Sequence, residues 1–393
     1  MVDVRLDQIK RYEDKIRMLI ESDENKKRCS YWKDDPNSND YIWHPSPKDK
    51  SIIPFSLEIE RIGYSRILNF SLTKFYLDPI EFVLRTLQCS IFKFETFSDC
   101  TPIGKSITYW PGVGFEASLF GMPQDYTEED AWIGREVSIK DRIPLDYIEI
   151  PDFYNHPVMK ETHRFYSRMQ EAVSDDFTIV FPQWCRSPFG VAWHIRGVDA
   201  ILIDYLDDFD WTFGFIDRLK EARFDFSKKR AEFLKTNFAP ANLFNDEVTM
   251  PLVSPKMYKE LIMPSEIAVS NYFGGINYWH SCGNTTALIP LINELPNVNL
   301  LHVSPWTDVW SAGRGYEKSK ALEIALHPTE DVMFPASDDM LRKRITDIKE
   351  ATTGFHTTVR ADGFMVMTDA ESDIKRLQHW VSEANKILLI GRP

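Results

Sequence analysis

From about residue 175 onward, short apolar segments alternate with longer amphipathic ones, and this alternation limits the fold more than any other feature. Phe177-Thr-Ile-Val-Phe-Pro182 reads as a strand. The stretch from Trp211 to Leu234 carries Phe213, Ile216, Leu219, Ala222 and Phe226 at helical spacing. Ala241-Asn-Leu-Phe244 is a short strand running into Asn245-Asp-Glu247. Ser254-Pro255 marks a helix start, a capping hydroxyl followed by proline at the first helical position. Further strands are expected at Ile276–Trp279, Val298–Val303, Val332-Met-Phe-Pro335 and Phe355–Val359, with a helix through Ala287–Ile292. Such alternation predicts an α/β fold with a parallel sheet and helices outside it, either an open sheet or a (β/α)8 barrel.

The N-terminal part reads differently. Residues 3–28 form a charged helix in this reading, followed by a polar connector from Lys33 to Lys50 with Asp35-Pro-Asn-Ser-Asn39 and His44-Pro-Ser-Pro-Lys48. Residues 51–150 are mixed, and Ile91-Phe-Lys-Phe-Glu-Thr-Phe97 alternates in the strand pattern.

Polar residues collect just after the expected strands: Gln183 and Arg186, Asp246 and Glu247, His280 and Cys282, Asp308, Asp338, Arg360 and Asp362. In a barrel or an open α/β sheet, strand ends are where ligands bind. The most specific signal is Asn277-Tyr-Trp-His-Ser-Cys-Gly-Asn284. If this segment is extended, His280 and Cys282 point to the same side and converge on one point. An imidazole and a thiolate are both good zinc ligands. A carboxylate from the preceding strand would complete a three-ligand shell with an open fourth position. Asp246 and Glu247 face opposite ways if extended, and the longer reach favours Glu247. Arg360-Ala-Asp-Gly363 suits either a substrate carboxylate or a structural ion pair.

Other classes of function find little support. The net charge of −13 disfavours nucleic acid and anionic membrane surfaces as partners. The basic runs Lys26-Lys-Arg28 and Lys228-Lys-Arg230 read as solvated helix faces. No apolar run approaches the ~20 residues that span a bilayer, and Met1-Val-Asp-Val-Arg-Leu-Asp-Gln8 lacks the apolar core of a secretory signal. Five scattered cysteines (29, 89, 100, 185 and 282) form no CxxC pair, so a reducing, cytoplasmic setting is expected. Gly112-Val-Gly114 with Gly121 follows no clean strand and is not read as a dinucleotide site. GxSxG, GxxxxGK[ST] and HExxH are absent. His163, His194 and His379 lie within helical patterns and read as surface or core histidines.

Taken together, Arg196-Gly-Val-Asp-Ala-Ile-Leu-Ile-Asp204, Asn245-Asp-Glu247, Leu252-Val-Ser-Pro-Lys-Met-Tyr-Lys-Glu260 and His280-Ser-Cys-Gly-Asn-Thr-Thr286 resemble the uroporphyrinogen decarboxylase superfamily. The similarity is to its branch of zinc-dependent, corrinoid-linked methyltransferases and runs over roughly residues 150–390. The resemblance implies a (β/α)8 TIM barrel over residues 101–393, with residues 1–100 as an N-terminal α+β extension. It also implies zinc on a His-x-Cys pair, here His280 and Cys282, with a distant second cysteine as the usual third ligand; Glu247 is the expected substitute on the reading above, and Asp246, Arg360 and Asp362 are expected to shape the donor site. The expected activity is removal of a methyl group from a small, methoxylated aromatic donor and its delivery to a corrinoid protein. A homodimer is allowed. The chain departs from the branch pattern because no cysteine follows Cys282, and Phe355 to Asp362 offers His356, Arg360 and Asp362 instead. That departure leaves open a metal-free decarboxylase using Arg360 or Arg186, or a non-catalytic ligand-binding barrel.

Overall fold

The structure is a computed structural model that describes residues 3–36, 44–134 and 136–391. Its strands, in chain order, are β1 (Phe55–Ile59), β2 (Ser106–Thr108), β3 (Gln124–Tyr126), β4 (Ala131–Ile133) and β5 (Thr178–Val180). They continue with β6 (Ala241–Phe244), β7 (Ile276–His280), β8 (Val298–Val303), β9 (Ala321–Leu326) and β10 (His356–Phe364). Six of them form one curled sheet in the order β1-β10-β9-β8-β7-β6, and every pairing in it is parallel. Helices connect these strands, as parallel pairing requires.

The ladder is not a continuous eight-stranded ring among the described residues. Strands β2 and β5 form a separate parallel pair, and β3 and β4 an antiparallel hairpin. A single parallel bridge between Arg186 and Phe244 links the chain after β5 to β6. The residues before position 100 are not confined to the outside of the sheet, because β1 pairs with β10 through Phe55↔Val359 and Ser56↔Arg360.

The expected elements are found near their expected places, with two exceptions. Val332 and Met333 lie in a π-helical turn, Pro328–Met333, not in a strand. The strand of that region is β9, six residues that are all buried. Burial on both faces removes the polar-apolar alternation by which a strand is recognised. The second exception is Ile91 to Phe97, whose residues up to Thr96 belong to the helix Pro79–Thr96. Asp78 caps that helix by accepting from the Ile80 and Glu81 amides, and Pro79 occupies its first turn. Its buried residues Ile80, Leu84, Leu87, Ile91 and Phe94 recur at helical intervals that a seven-residue window is too short to reveal.

Smaller differences have equally local causes. The first helix breaks after Ile20, and Ser22 caps a second one, Asp23–Ser30, by accepting from Asn25 N. The helix of the Trp211 region runs from Phe209 to Leu234. Ser254 accepts from Met257 N with Pro255 in the first turn. Within the connector Lys33 to Lys50, residues 37–43 lie outside the described residues.

The two faces of the large sheet differ in chemistry. One packs on the helices through Leu243, Trp279, Leu301, Leu322 and Val359, all buried without exposure. The other carries a small separate cluster of Tyr278, Leu300 and Ala321 with Phe244. Register then brings Phe244 beside His280, and His302 beside Glu323. Strand alternation thus places an ionisable set on the side away from the helices.

Candidate metal centre

Strand β7 ends at His280, and the chain continues through Ser281, Cys282 and Gly283. Ser281 is anchored by donating its hydroxyl to Val248 O at 2.8 Å, and Gly283 N donates back to Ser281 Oγ at 3.1 Å. Gly283 packs directly on Thr249: a β-carbon there would lie 2.1 Å from Thr249 Oγ1 and 3.0 Å from its Cα. Only glycine lets the two segments approach this closely. The result is a tight loop that holds Cys282 at the mouth of the sheet, exposed, with its Sγ 3.1 Å from His280 Nε2.

The third member is Asp246. Its Oδ1 lies 3.0 Å from His280 Nε2, and donor atoms of Asp246, His280 and Cys282 all fall within 4.8 Å of one another. Glu247, expected in that place on grounds of reach, is turned elsewhere. Its Oε1 is 2.7 Å from His194 Nε2 and pairs with Arg186 Nη1. Its other oxygen occupies the space that a side chain at Gly190 would need, 2.5 Å from a β-carbon there. Strand β6 has already ended at Phe244, and Val248 N bonds back to Asn245 O in a turn. Turn geometry, not strand alternation, therefore decides which of the two adjacent acids faces β7.

Electrostatics reinforce the grouping. Arg186 Nη2 lies 3.6 Å from Asp246 Oδ2 while its other nitrogen holds Glu247, so one buried guanidinium orients both acids. Burial opposes ionisation of Asp246, but His280 and Arg186 hold its carboxyl well below the usual carboxylate range. Burial likewise opposes charge on His280, yet Cys282 and Asp246 push its pKa up to about 10. Burial pushes the Cys282 thiol up, while the neighbouring His280 works against it. An imidazole nitrogen, a cysteine sulfur and a carboxylate oxygen within 4.8 Å of one another are donor types that zinc takes, the cysteine binding as its thiolate.

Behind His280 lies a chain of buried polar groups. Tyr278 Oη is 3.1 Å from His280 Nδ1 and donates to Glu323 Oε1 at 2.5 Å. Glu323 Oε2 is 3.3 Å from His44 Nδ1, and the His44 ring stacks on Tyr278 with centroids 3.9 Å apart. Arg360 Nη1 lies 2.9 Å from His44 Nδ1 and 3.6 Å from Glu323 Oε1. Asp362 pairs with Arg360 Nε at 3.3 Å. His302 stands beside His280, ring centroids 4.1 Å apart, with its Nδ1 2.8 Å from Ser281 O. Burial, and then His280, keep its pKa well below the usual value.

The sequence-selected residues thus fall into two groups. Asp246, His280 and Cys282 meet; Arg360 pairs with Glu323 and with the half-buried Asp362, apart from that cluster. Gln183 accepts from Asn242 Nδ2, Asp308 caps the helix Val309–Gly315, and Asp338 pairs with His379. Sequence inspection passed over Tyr278, Glu323 and His44 and read His194 as a surface or core histidine. Two of the missed residues did leave a signal: Tyr278 shares the alternation of His280 and Cys282, and Glu323 interrupts the apolar run Ala321-Leu-Glu-Ile-Ala-Leu326.

Trp184 and Phe189 belong to the core. Trp193 lines an open cleft of about 390 Å³ together with Val113, Met122, Trp132, His194 and Val198. His194 joins this cleft to the centre through Glu247 and Arg186. Trp306 and Trp310 line a second cleft, of about 470 Å³, with Asn284, Asp308, Arg344 and Asp347.

No protein-family model and no curated protein sequence matches the chain. Solved structures do. A methyltransferase from Methanosarcina mazei matches with a TM-score of 0.61, over 86% of this chain and 95% of that one, at 12% identity. At that identity the likeness is one of fold.

Proposed function

We propose that this protein is a zinc-dependent methyltransferase that takes a methyl group from a small methoxylated aromatic compound and passes it to the cobalt of a corrinoid protein. One observation carries the proposal: Asp246, His280 and Cys282 bring oxygen, nitrogen and sulfur donors within 4.8 Å at the ends of parallel strands. The fold in which they do so resembles that of a methyltransferase. We further propose that the two separate strands complete an eight-stranded (β/α)8 barrel around this centre, with the bridge at Arg186 as one seam.

Zinc on these three residues would supply Lewis-acid stabilisation of the charge that develops on the departing oxygen. The chain's own groups do the rest. Arg186 fixes Asp246 and Glu247 in their separate directions, so Asp246 faces His280 without a search of rotamers. Cys282 is exposed, which leaves the centre open toward an incoming donor and partner. Trp132 and Trp193 offer flat apolar walls for an aromatic ring in the neighbouring cleft. The five cysteines are free, and no described helix is long and apolar enough to cross a membrane; both suit a cytoplasmic enzyme working beside a reduced corrinoid.

A metal-free decarboxylase fits less well. Its substrate carboxylate would need a cation, and Arg186 and Arg360 are each paired with carboxylates of the chain itself. The deciding experiment combines elemental analysis with turnover. Wild-type protein should carry one zinc per chain and methylate a reduced free corrinoid from a methoxylated aromatic; Cys282→Ala should lose both. Metal-free protein that releases carbon dioxide from a small acid would refute the proposal.

A further inference from the structure

We propose that Tyr278 and Glu323 are positioning residues that select the metal-binding tautomer of His280, and that His44 locks this pair from the N-terminal segment. The inference rests on the metal-site proposal above and extends it to groups that touch neither metal nor donor.

The argument is an inventory of donors and acceptors. His280 offers Nε2 to Cys282 and Asp246, so Nε2 must carry a lone pair when a cation is bound and Nδ1 must carry the proton. The atom facing Nδ1 is Tyr278 Oη, at 3.1 Å. A hydroxyl has a single proton, and a tyrosine that spent it on Nδ1 would select the wrong tautomer. Glu323 removes that choice. Glu323 is paired with the Arg360 guanidinium at 3.6 Å, and against burial His44 and then Arg360 hold its carboxyl well below the usual range, so it is an anion that only accepts. Tyr278 therefore donates to Glu323 at 2.5 Å, and its oxygen is left to accept from His280 Nδ1–H.

Each link is fixed from behind. Glu323 is buried between Tyr278, His44 and Arg360. His44 stacks flat on the Tyr278 ring, with an interplanar angle of 13°, which restricts rotation of the phenol. Metal-ligating histidines in general are held by an acceptor on their second nitrogen, and losing that acceptor weakens metal binding about 10- to 100-fold. Here the acceptor is neutral and owes its polarity to an anion one bond further away.

The test is chelator competition for zinc on the full-length chain, together with the visible absorption spectrum of the cobalt(II)-substituted protein. Tyr278→Phe keeps the stacked ring and removes only the hydroxyl. It should still fold and bind one ion, but about 10- to 100-fold more weakly, with a shifted cobalt spectrum; the thermal transition falls, because Glu323 loses a donor. Glu323→Gln should move both readouts in the same direction by a smaller factor, because an amide oxygen can still accept from Tyr278. His280→Ala and Cys282→Ala separate the two claims. If they abolish binding while Tyr278→Phe and Glu323→Gln bind as tightly as wild type with the same spectrum, the positioning role is overturned and the metal site stands. If wild type binds no ion, both fall.

Discussion

Asp246 Oδ1 lies 3.0 Å from His280 Nε2, while the next residue in the chain, Glu247, sends its carboxylate to His194. Two adjacent acids thus serve different structures, one the open centre and the other a buried knot with Arg186. The division makes their substitutions separable.

Asp246→Asn should lower zinc affinity and turnover together, with little change in stability, because the amide keeps the shape and loses the anionic ligand. Glu247→Ala should act mainly on stability. It leaves the Arg186 guanidinium buried beside a void, and breaking such a pair costs about 3–5 kcal/mol. Metal content and urea unfolding of the two variants check the contrast; equal metal loss in both would contradict it.

Gly283→Ala should unseat the Cys282 loop. Its new methyl group would meet the Thr249 backbone as well as its side chain, so rotamer change alone cannot relieve the contact. Overpacking of this kind costs about 1–3 kcal/mol. The expected outcome is a lower unfolding midpoint and weaker zinc binding, both measurable on the purified variant.

Glu266 gives a pH-dependent prediction away from the metal ligands. It is fully buried, accepting from Tyr258 Oη at 2.6 Å and Trp279 Nε1 at 3.1 Å. Burial pushes its carboxyl up to about 7, against these hydrogen bonds, from an ordinary value of 4.5. Between those two values the unfolded chain has released this proton and the folded chain has kept it. The contribution of Glu266 to stability is therefore whole below pH 4.5 and is lost as pH rises toward 7. Its full size is on the order of 3 kcal/mol. Glu266→Gln should flatten that part of the stability profile, as followed by denaturant unfolding at several pH values. A variant as steep as wild type would rule out Glu266 as the source.

Trp132→Ala and Trp193→Ala should raise KM for a methoxylated aromatic about 10-fold each, the equivalent of one aromatic contact of about 1.5 kcal/mol. Zinc content should stay unchanged, since neither residue touches the ligand set. Unaltered KM in both variants would place the donor elsewhere, the second cleft beside Trp306 and Trp310 being the alternative.

The parallel βα pattern and the His280-x-Cys282 pair were open to inspection in the chain itself, for one physical reason. Both depend on neighbours a few residues apart, where strand alternation and helical spacing dictate which side chains share a face. Strand β9 escaped because burial on both faces erased its alternation, and Ile91 misled because its short window imitated it. Only the tertiary structure decided between Asp246 and Glu247, since the choice hangs on a turn and on the space left by Gly190. The same holds for the support of His280, where Tyr278 meets Glu323 from 45 residues away and Glu323 meets His44 from 279. Contacts of that separation arise from how strands pair and which segment fills the space beside them, and no local periodicity encodes them.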